Sequence, residues 1–108
     1  MVKEIDSATL QSLMAAGEDV HLVDIRTEGE LVGGVIPNAT HLPMHLIPMR
    51  LSEVPEDKEV ILYCRSGARS YHACSYLMQQ GIDNVVNLRG GILSWARSGF
   101  EIAPRIAA

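Results

Sequence analysis

The sequence predicts an α/β domain built on a largely parallel sheet. Strand-like apolar runs alternate with helical patterns along all 108 residues. The chain is long enough for one packed core, and its 47% hydrophobic and 20% charged residues are near globular averages. Right-handed crossovers would place helices on both faces of the sheet. We therefore expect a single domain over residues 1–108, with a functional crevice beyond the carboxyl ends of the strands.

The first half of the chain predicts three strands. They are rich in apolar or β-branched residues and cover residues 2–5, 20–25 and 39–42. Between the first two strands, Asp6 or Ser7 can cap an amphipathic helix that Gly17 ends. Thr27 can cap a short helix after the second strand. After the third strand, Pro48 interrupts a helical pattern over residues 44–54, so we expect a short or broken helix there.

The second half predicts two strands and two helices. The clearest strand covers residues 60–63 and runs directly into Cys64, and the other covers residues 85–88. A tight loop over residues 65–69 precedes a helix over residues 70–80. Gly90 and Gly91 precede the last helix. This order puts a thiol at the carboxyl end of a strand and at the start of a helix, where α/β folds place their active sites.

Composition and charge exclude several classes of protein. A net charge of -4 argues against a nucleic-acid partner. No segment approaches the roughly 20 apolar residues that a membrane span needs, and residues 1–6 lack the apolar run of a signal peptide. The cytoplasm is therefore the expected location. Two cysteines are too few for a disulfide framework, so we expect free thiols.

The segment after the fourth strand contains the features that activate a thiol. Its sequence, over residues 64–70, is Cys-Arg-Ser-Gly-Ala-Arg-Ser. The helix N-terminus, two nearby arginines and a ring of inward-turned amides would each lower the pKa of Cys64. Gly67 permits backbone angles that other residues disfavour. The same ring would hold a thiolate or the outer sulfur of a persulfide, and for either role the sulfur must be reachable from solvent.

Plainer interpretations stay open at this point. Cys64 could be an ordinary core cysteine, and its two arginines could be surface residues at a helix start. Cys74 lies on the apolar face of its helix and is expected to be packed inside, with a redox role as the alternative. His41 and His45 could bind a metal, but two histidines without a third ligand are more often surface residues. Asp24 and Arg26 either order the active-site face or form a surface salt bridge.

Four segments resemble single-domain rhodanese sulfurtransferases, in the order in which that family has them. They are the cysteine loop, a Val-Asp-x-Arg strand at residues 23–26 followed by Glu30, a stretch similar to Gly-His-Ile-Pro-Gly-Ala-x-Asn-Ile-Pro at residues 34–43, and Asn-Leu-Arg-Gly-Gly at residues 87–91 with Trp95 and Gly99. The resemblance extends from about residue 5 to residue 102. The chain departs from the pattern at Val35, Asn38 and His41, where the family usually has His, Gly and Asn. Asn38 can still adopt a left-handed conformation.

The resemblance implies a five-stranded, mostly parallel sheet flanked by helices and a ping-pong sulfur transfer through Cys64. It implies that the loop amides cradle the persulfide, and the loop residues concerned are Arg65, Ser66, Gly67, Ala68, Arg69 and Ser70. Arg65 and Arg69 would attract an anionic donor such as thiosulfate. The acceptor would be cyanide, a thiol or another sulfur-carrier protein. No metal or organic cofactor is needed, and we expect a monomer or weak dimer.

Two other functions fit the same fold. Cysteine-dependent phosphatases and arsenate reductases have five residues between Cys and Arg, whereas four separate Cys64 from Arg69. Because a tetrahedral phosphate needs a wider ring of amides than one sulfur atom, the shorter loop favours sulfur. A non-catalytic interaction module would need no nucleophile, whereas Cys64 and its loop are intact. A hydrolase that pairs the cysteine with a histidine has less support, because His72 lies within the helix after the loop.

Overall fold

The computed structural model of the protein describes residues 1–105 and contains a five-stranded sheet whose strand pairs are all parallel. The strands are β1 (Lys3–Ile5), β2 (His21–Asp24), β3 (Thr40–His41), β4 (Val60–Tyr63) and β5 (Val85–Leu88). Their order across the sheet is β1-β5-β4-β2-β3. The predicted α/β class and five-stranded parallel sheet are confirmed. The strand that leads to Cys64 is the central one.

Three α-helices and three shorter helical turns connect the strands. The helices are α1 (Ser7–Ala15), α2 (Ala68–Gln79) and α3 (Gly91–Arg97). The 3-10 turns cover Glu28–Gly33, Met44–Met49 and Leu51–Glu53. The short helix predicted after Thr27 is thus a 3-10 turn, and the pattern around Pro48 is broken as expected. Helix α2 begins two residues earlier than predicted, because Gly67 takes a left-handed conformation and lets the helix start directly after it.

The sheet has a hydrophobic core on each face, which confirms that helices cover both sides. Side chains alternate along β4, and all four of its residues are buried. Val60 and Leu62 pack with the residues of α2, while Ile61 and Tyr63 pack with α1 and α3 around Trp95. A strand that is buried on both faces reads as a continuous apolar run, which is why residues 60–63 gave the clearest signal.

Two expectations from the sequence concern metal binding and membrane-spanning segments. Within residues 1–105, no three His, Cys, Asp or Glu side chains lie close enough together to hold a metal ion. The Nε2 atom of His41 lies 2.7 Å from the carbonyl oxygen of Arg26. No helix in the described part of the chain is long and apolar enough to cross a membrane.

Candidate active site

Cys64 directly follows the last residue of β4, and α2 begins four residues later, at Ala68. Gly67 makes this tight transition possible, because its φ of 97° is one that other residues rarely adopt. A side chain there would also be crowded, since a Cβ atom would lie 3.0 Å from the backbone nitrogen of Gly90. The loop is therefore packed against the segment that precedes α3.

The loop surrounds the Cys64 sulfur with hydrogen-bond donors. The amide of Gly67 donates to Sγ over 3.1 Å, and the hydroxyl of Ser70 donates over 3.4 Å. Burial raises the pKa of the thiol, but the hydroxyl of Ser70 and the amides of Ser70, Gly67 and Ser66 outweigh it, so that the pKa lies below its ordinary value. These donors stabilise a thiolate, or any negative sulfur in its place.

The thiol lies at the bottom of the loop rather than at its surface. Cys64 is only 1% exposed, and the expectation of a sulfur reachable from solvent is wrong for this loop conformation. The burial follows from the position of the residue, which belongs to the core cluster formed with α2. A donor must therefore reach a sulfur that is covered in this conformation.

The remaining loop residues divide into an exposed and a buried set. Arg65, Ser66 and Ala68 are exposed, Arg69 is intermediate, and Gly67 and Ser70 are buried. The two buried residues donate the hydrogen bonds to Sγ. Of the six residues that the sequence predicted as a cradle, Ser66, Gly67 and Ser70 have groups that act on the Cys64 sulfur, and the roles of Arg65, Ala68 and Arg69 stay predictions.

The backbone of the loop is held from behind by the start of α3. The amide of Ile92 donates to the carbonyl oxygen of Cys64 over 3.0 Å, and the amide of Leu93 donates to that of Arg65 over 3.1 Å. Gly91 is needed for this approach, because a Cβ atom there would lie 2.4 Å from the Arg65 oxygen. Gly91 of the carboxyl-terminal motif therefore serves the cysteine loop.

Asn87 is a site residue to which the sequence assigned no role. This β5 residue is 1% exposed, and its Nδ2 atom donates to the carbonyl oxygen of Gly67 over 3.2 Å and to the carboxylate of Glu4 over 2.8 Å. It ties the loop to the sheet. The signal available in the sequence was an amide side chain within an apolar strand.

Arg69 does not stand free at the site. Its guanidinium donates two hydrogen bonds to the carboxylate of Glu30, over 2.8 and 2.7 Å. The pair lowers the pKa of Glu30 to about 2, so the carboxylate is charged at neutral pH. The hydrogen bonds to Glu30, and to a lesser extent the charge of Cys64, raise the pKa of Arg69. Arg65, by contrast, forms no salt bridge within the described residues.

A second pair, Asp24 and Arg26, lies beneath the site. The two residues are 1% and 5% exposed, so the alternative of a surface salt bridge is wrong. The guanidinium of Arg26 donates to both Asp24 oxygens, and to the carbonyl oxygens of Gly34 and Glu30. The pair orders the segment that carries Glu30. This agrees with the alternative expectation that Asp24 and Arg26 order the active-site face.

Cys74 is the second thiol, and it lies in the core. It is 0% exposed, and burial raises the pKa of its thiol to about 12. A protonated, enclosed thiol is a poor nucleophile. The prediction that Cys74 is packed in the core on the apolar face of its helix is confirmed.

Known proteins resemble this chain over nearly its whole length. The family model of the Rhodanese-like domain matches residues 6–98. A sulfurtransferase of Allochromatium vinosum is 63% identical over 102 residues, covering 94% of this chain and 95% of the relative. The thiosulfate sulfurtransferase GlpE of Glaesserella parasuis is 35% identical over 89 residues, covering 82% of each chain. The crystal structure of a rhodanese-like domain protein from Staphylococcus aureus superposes with a TM-score of 0.86 at 33% identity, covering 97% of this chain and 100% of that one.

Proposed function

This chain belongs to the rhodanese-like domain family and is a sulfurtransferase, and we propose that it carries sulfur as a persulfide on Cys64. The observation that carries this proposal is the pair of hydrogen bonds from Gly67 and Ser70 to the Cys64 sulfur. Together with neighbouring amides they lower the pKa of a thiol that burial alone would make inert. A thiolate is the form that attacks a sulfane sulfur.

The proposed reaction has two displacement steps. The Cys64 thiolate attacks the outer sulfur of thiosulfate, a new S–S bond forms, and the S–S bond of the donor breaks. Sulfite leaves with the electron pair, and the negative charge on Cys64 moves to the outer sulfur of the persulfide. An acceptor thiolate or cyanide then attacks that outer sulfur and restores the Cys64 thiolate. Neither step needs a net proton transfer, a metal or an organic cofactor.

The loop residues have distinct roles in this scheme. The amides of Ser66, Gly67 and Ser70 and the hydroxyl of Ser70 stabilise the negative sulfur. In a persulfide the outer sulfur lies about 2.05 Å from Sγ, so the acceptor attacks an atom other than the covered Sγ of Cys64. Arg65 at the loop surface would attract the anionic donor.

Intact mass spectrometry after incubation with thiosulfate or a persulfide tests the proposal. We expect the wild-type protein to gain one sulfur atom, which cyanide removes. The Cys64→Ala variant should gain none, whereas Cys74→Ala is the matched control and should gain sulfur as the wild type does. A wild-type protein that gains no sulfur from any donor, or a Cys64→Ala variant that still gains it, would contradict the proposal.

Several expectations about cellular setting accompany this proposal. A small anionic sulfur donor, a thiol or cyanide acceptor and a further sulfur-carrier protein are the proposed partners, because each offers or takes a single sulfane sulfur. A reducing compartment would keep both thiols free, which favours the cytoplasm. The single domain over residues 1–108 and the monomeric or weakly dimeric state stay predictions, which size measurement in solution would check.

A further inference from the structure

We propose that Glu30 determines the class of sulfur donor, disfavouring dianionic thiosulfate and favouring organic sulfane donors that carry at most one negative charge. The proposal rests on the persulfide chemistry at Cys64 and concerns which donor supplies the sulfur. It follows from the balance of charges around the loop and from the shape of the surface beside it.

The charges at the site nearly cancel. Asp24 neutralises Arg26, and Glu30 neutralises Arg69 through two short hydrogen bonds. Arg65 is then the single remaining cation of the loop, and it is exposed to solvent. The reactive thiolate itself adds one negative charge. A donor with two negative charges therefore approaches a site that offers it no surplus of positive charge.

Glu30 is not easily displaced by an incoming anion. Its Oε1 atom also accepts a hydrogen bond from the amide of Thr27 over 3.0 Å, in a capping box at the start of the 3-10 turn. With a pKa of about 2 the carboxylate does not become neutral at the pH of any ordinary assay. Thiosulfate must bind in its presence, and the repulsion between like charges grows with the charge of the donor.

An apolar groove of about 380 Å³ lies beside the loop, and its lining includes Glu30 and Arg65. Most of the remaining surface is apolar and comes from α3 and from the segment after it. The residues concerned are Ile92, Leu93, Ala96 and Ile102. Thiosulfate has no organic group to fill such a groove. A donor that joins a small apolar substituent to a singly charged sulfane group matches both the groove and the charge at its end.

The chemistry of such a donor balances without a further reactant. With an organic thiosulfonate, the Cys64 thiolate attacks the outer sulfur, the donor's S–S bond breaks, and a sulfinate leaves with the electron pair. With an alkyl persulfide, the terminal sulfur is attacked and an alkyl thiolate leaves. In both cases the persulfide on Cys64 carries the charge that the thiolate carried before.

Three donors allow the effect of donor charge on kcat/KM to be measured separately from the effect of apolar contact. Thiosulfate has two negative charges, methanethiosulfonate has one, and benzenethiosulfonate has one charge and an aromatic ring. With cyanide as acceptor, we expect Glu30→Gln to raise kcat/KM about threefold for methanethiosulfonate and, because the interaction scales with charge, about tenfold for thiosulfate. The thiosulfate-to-methanethiosulfonate ratio therefore rises about threefold. A change in thiolate fraction affects both donors equally and cancels in this ratio.

The matched control is Glu28→Gln. Glu28 lies in the same 3-10 turn but pairs with Arg105, so its replacement should leave the donor ratio unchanged. Glutamine at position 30 preserves the capping box with Thr27, so the turn keeps its fold. In the wild-type protein, kcat/KM for thiosulfate should change little with added salt, because the site exerts no net electrostatic attraction on the donor. In Glu30→Gln it should fall with salt.

The groove has its own test. We expect the wild-type protein to use benzenethiosulfonate at least about fivefold more efficiently than methanethiosulfonate, since the ring is removed from water. Ala96→Phe places a side chain in the groove from an exposed position of α3 and should abolish that preference. A variant that keeps the wild-type ratio of the two efficiencies would contradict the role of the groove.

The results distinguish this inference from the proposed function. If all three donors load sulfur onto Cys64 but the thiosulfate-to-methanethiosulfonate ratio is the same in wild type and Glu30→Gln, the role of Glu30 is wrong and the persulfide chemistry stands. A wild-type preference for thiosulfate that salt strongly weakens would also overturn it. If none of the donors loads sulfur onto Cys64, the proposed function itself fails.

Discussion

Replacing Ser70 by alanine should raise the pKa of the Cys64 thiol and slow its reactions at neutral pH. The hydroxyl of Ser70 lies 3.4 Å from Sγ and is the largest contribution that favours the thiolate. Once it is lost, burial opposes ionisation with only the backbone amides against it. A hydrogen bond to a charged group is worth about 1.5–3 kcal/mol, and we take the lower end because this contact is long. At about 1.4 kcal/mol per tenfold change, the thiolate fraction at a pH well below the pKa should fall about tenfold.

The pH dependence of alkylation by iodoacetamide, followed by intact mass, measures this effect. The profile of Ser70→Ala should move to higher pH, while its plateau at high pH should equal that of the wild type. Ser66→Ala is the matched control, because the exposed side chain of Ser66 makes no hydrogen bond to Sγ within the described residues. Its profile should coincide with that of the wild type.

Two outcomes would refute the reasoning. Coincident profiles for Ser70→Ala and the wild type would mean that the hydroxyl does not stabilise the thiolate. A plateau lowered at every pH, with an unshifted midpoint, would mean that Ser70 controls access to the covered sulfur rather than its ionisation. The second outcome matters because Cys64 is only 1% exposed.

Three further predictions concern the surroundings of the loop. Gly91→Ala should lower the free energy of unfolding, measured in urea, by more than about 3 kcal/mol, and the control Gly99→Ala by about 1 kcal/mol. Both glycines have positive φ, but only at Gly91 would a Cβ atom collide with backbone atoms. Equal losses would contradict the close approach. Because the folded-state pKa of Glu30 is about 2, below its ordinary 4.5, its ion pair should stabilise the wild type over Glu30→Gln above pH 4.5, by about 1 kcal/mol after solvent screening. This difference in stability should disappear as the pH falls to about 2. A difference that stays constant from pH 7 to pH 2 would show that the charge of Glu30 does not stabilise the fold. Iodoacetamide at about pH 8 should modify Cys64 and spare Cys74 in the folded protein, because Cys74 is enclosed and its thiol stays protonated. In urea both cysteines should react. Labelling of Cys74 in the folded protein would show that its enclosure is incomplete.

Local patterns allowed the sequence to predict the framework of the site. The apolar run of β4 identified a strand buried on both faces, and the alternation of elements placed Cys64 at its carboxyl end. Gly67 indicated a turn with unusual backbone angles, and its φ of 97° agrees. Asn38 was expected to tolerate a left-handed conformation, and its φ of 69° confirms this. Each of these features depends on neighbouring residues, so a single sequence contains the information.

Long-range pairing could not be predicted in the same way. Glu30 and Arg69 are 39 positions apart, and only the crossover from β2 to β4 brings the 3-10 turn beside the loop. The same holds for Asn87, whose contact with Gly67 joins two neighbouring strands at the level of the loop. The arginines were therefore expected to be free for the donor, whereas one of them has a partner.

The sequence by itself determined the parallel sheet, its helices and the position of Cys64 between a strand and a helix, because strand periodicity, glycine positions and helix starts are properties of short stretches of chain. The tertiary structure alone decided how deeply the Cys64 sulfur is covered and which charges around it are already neutralised. Burial and ion pairing depend on which distant residues share a face or an edge of the sheet, and that is fixed only when the strands have taken their order.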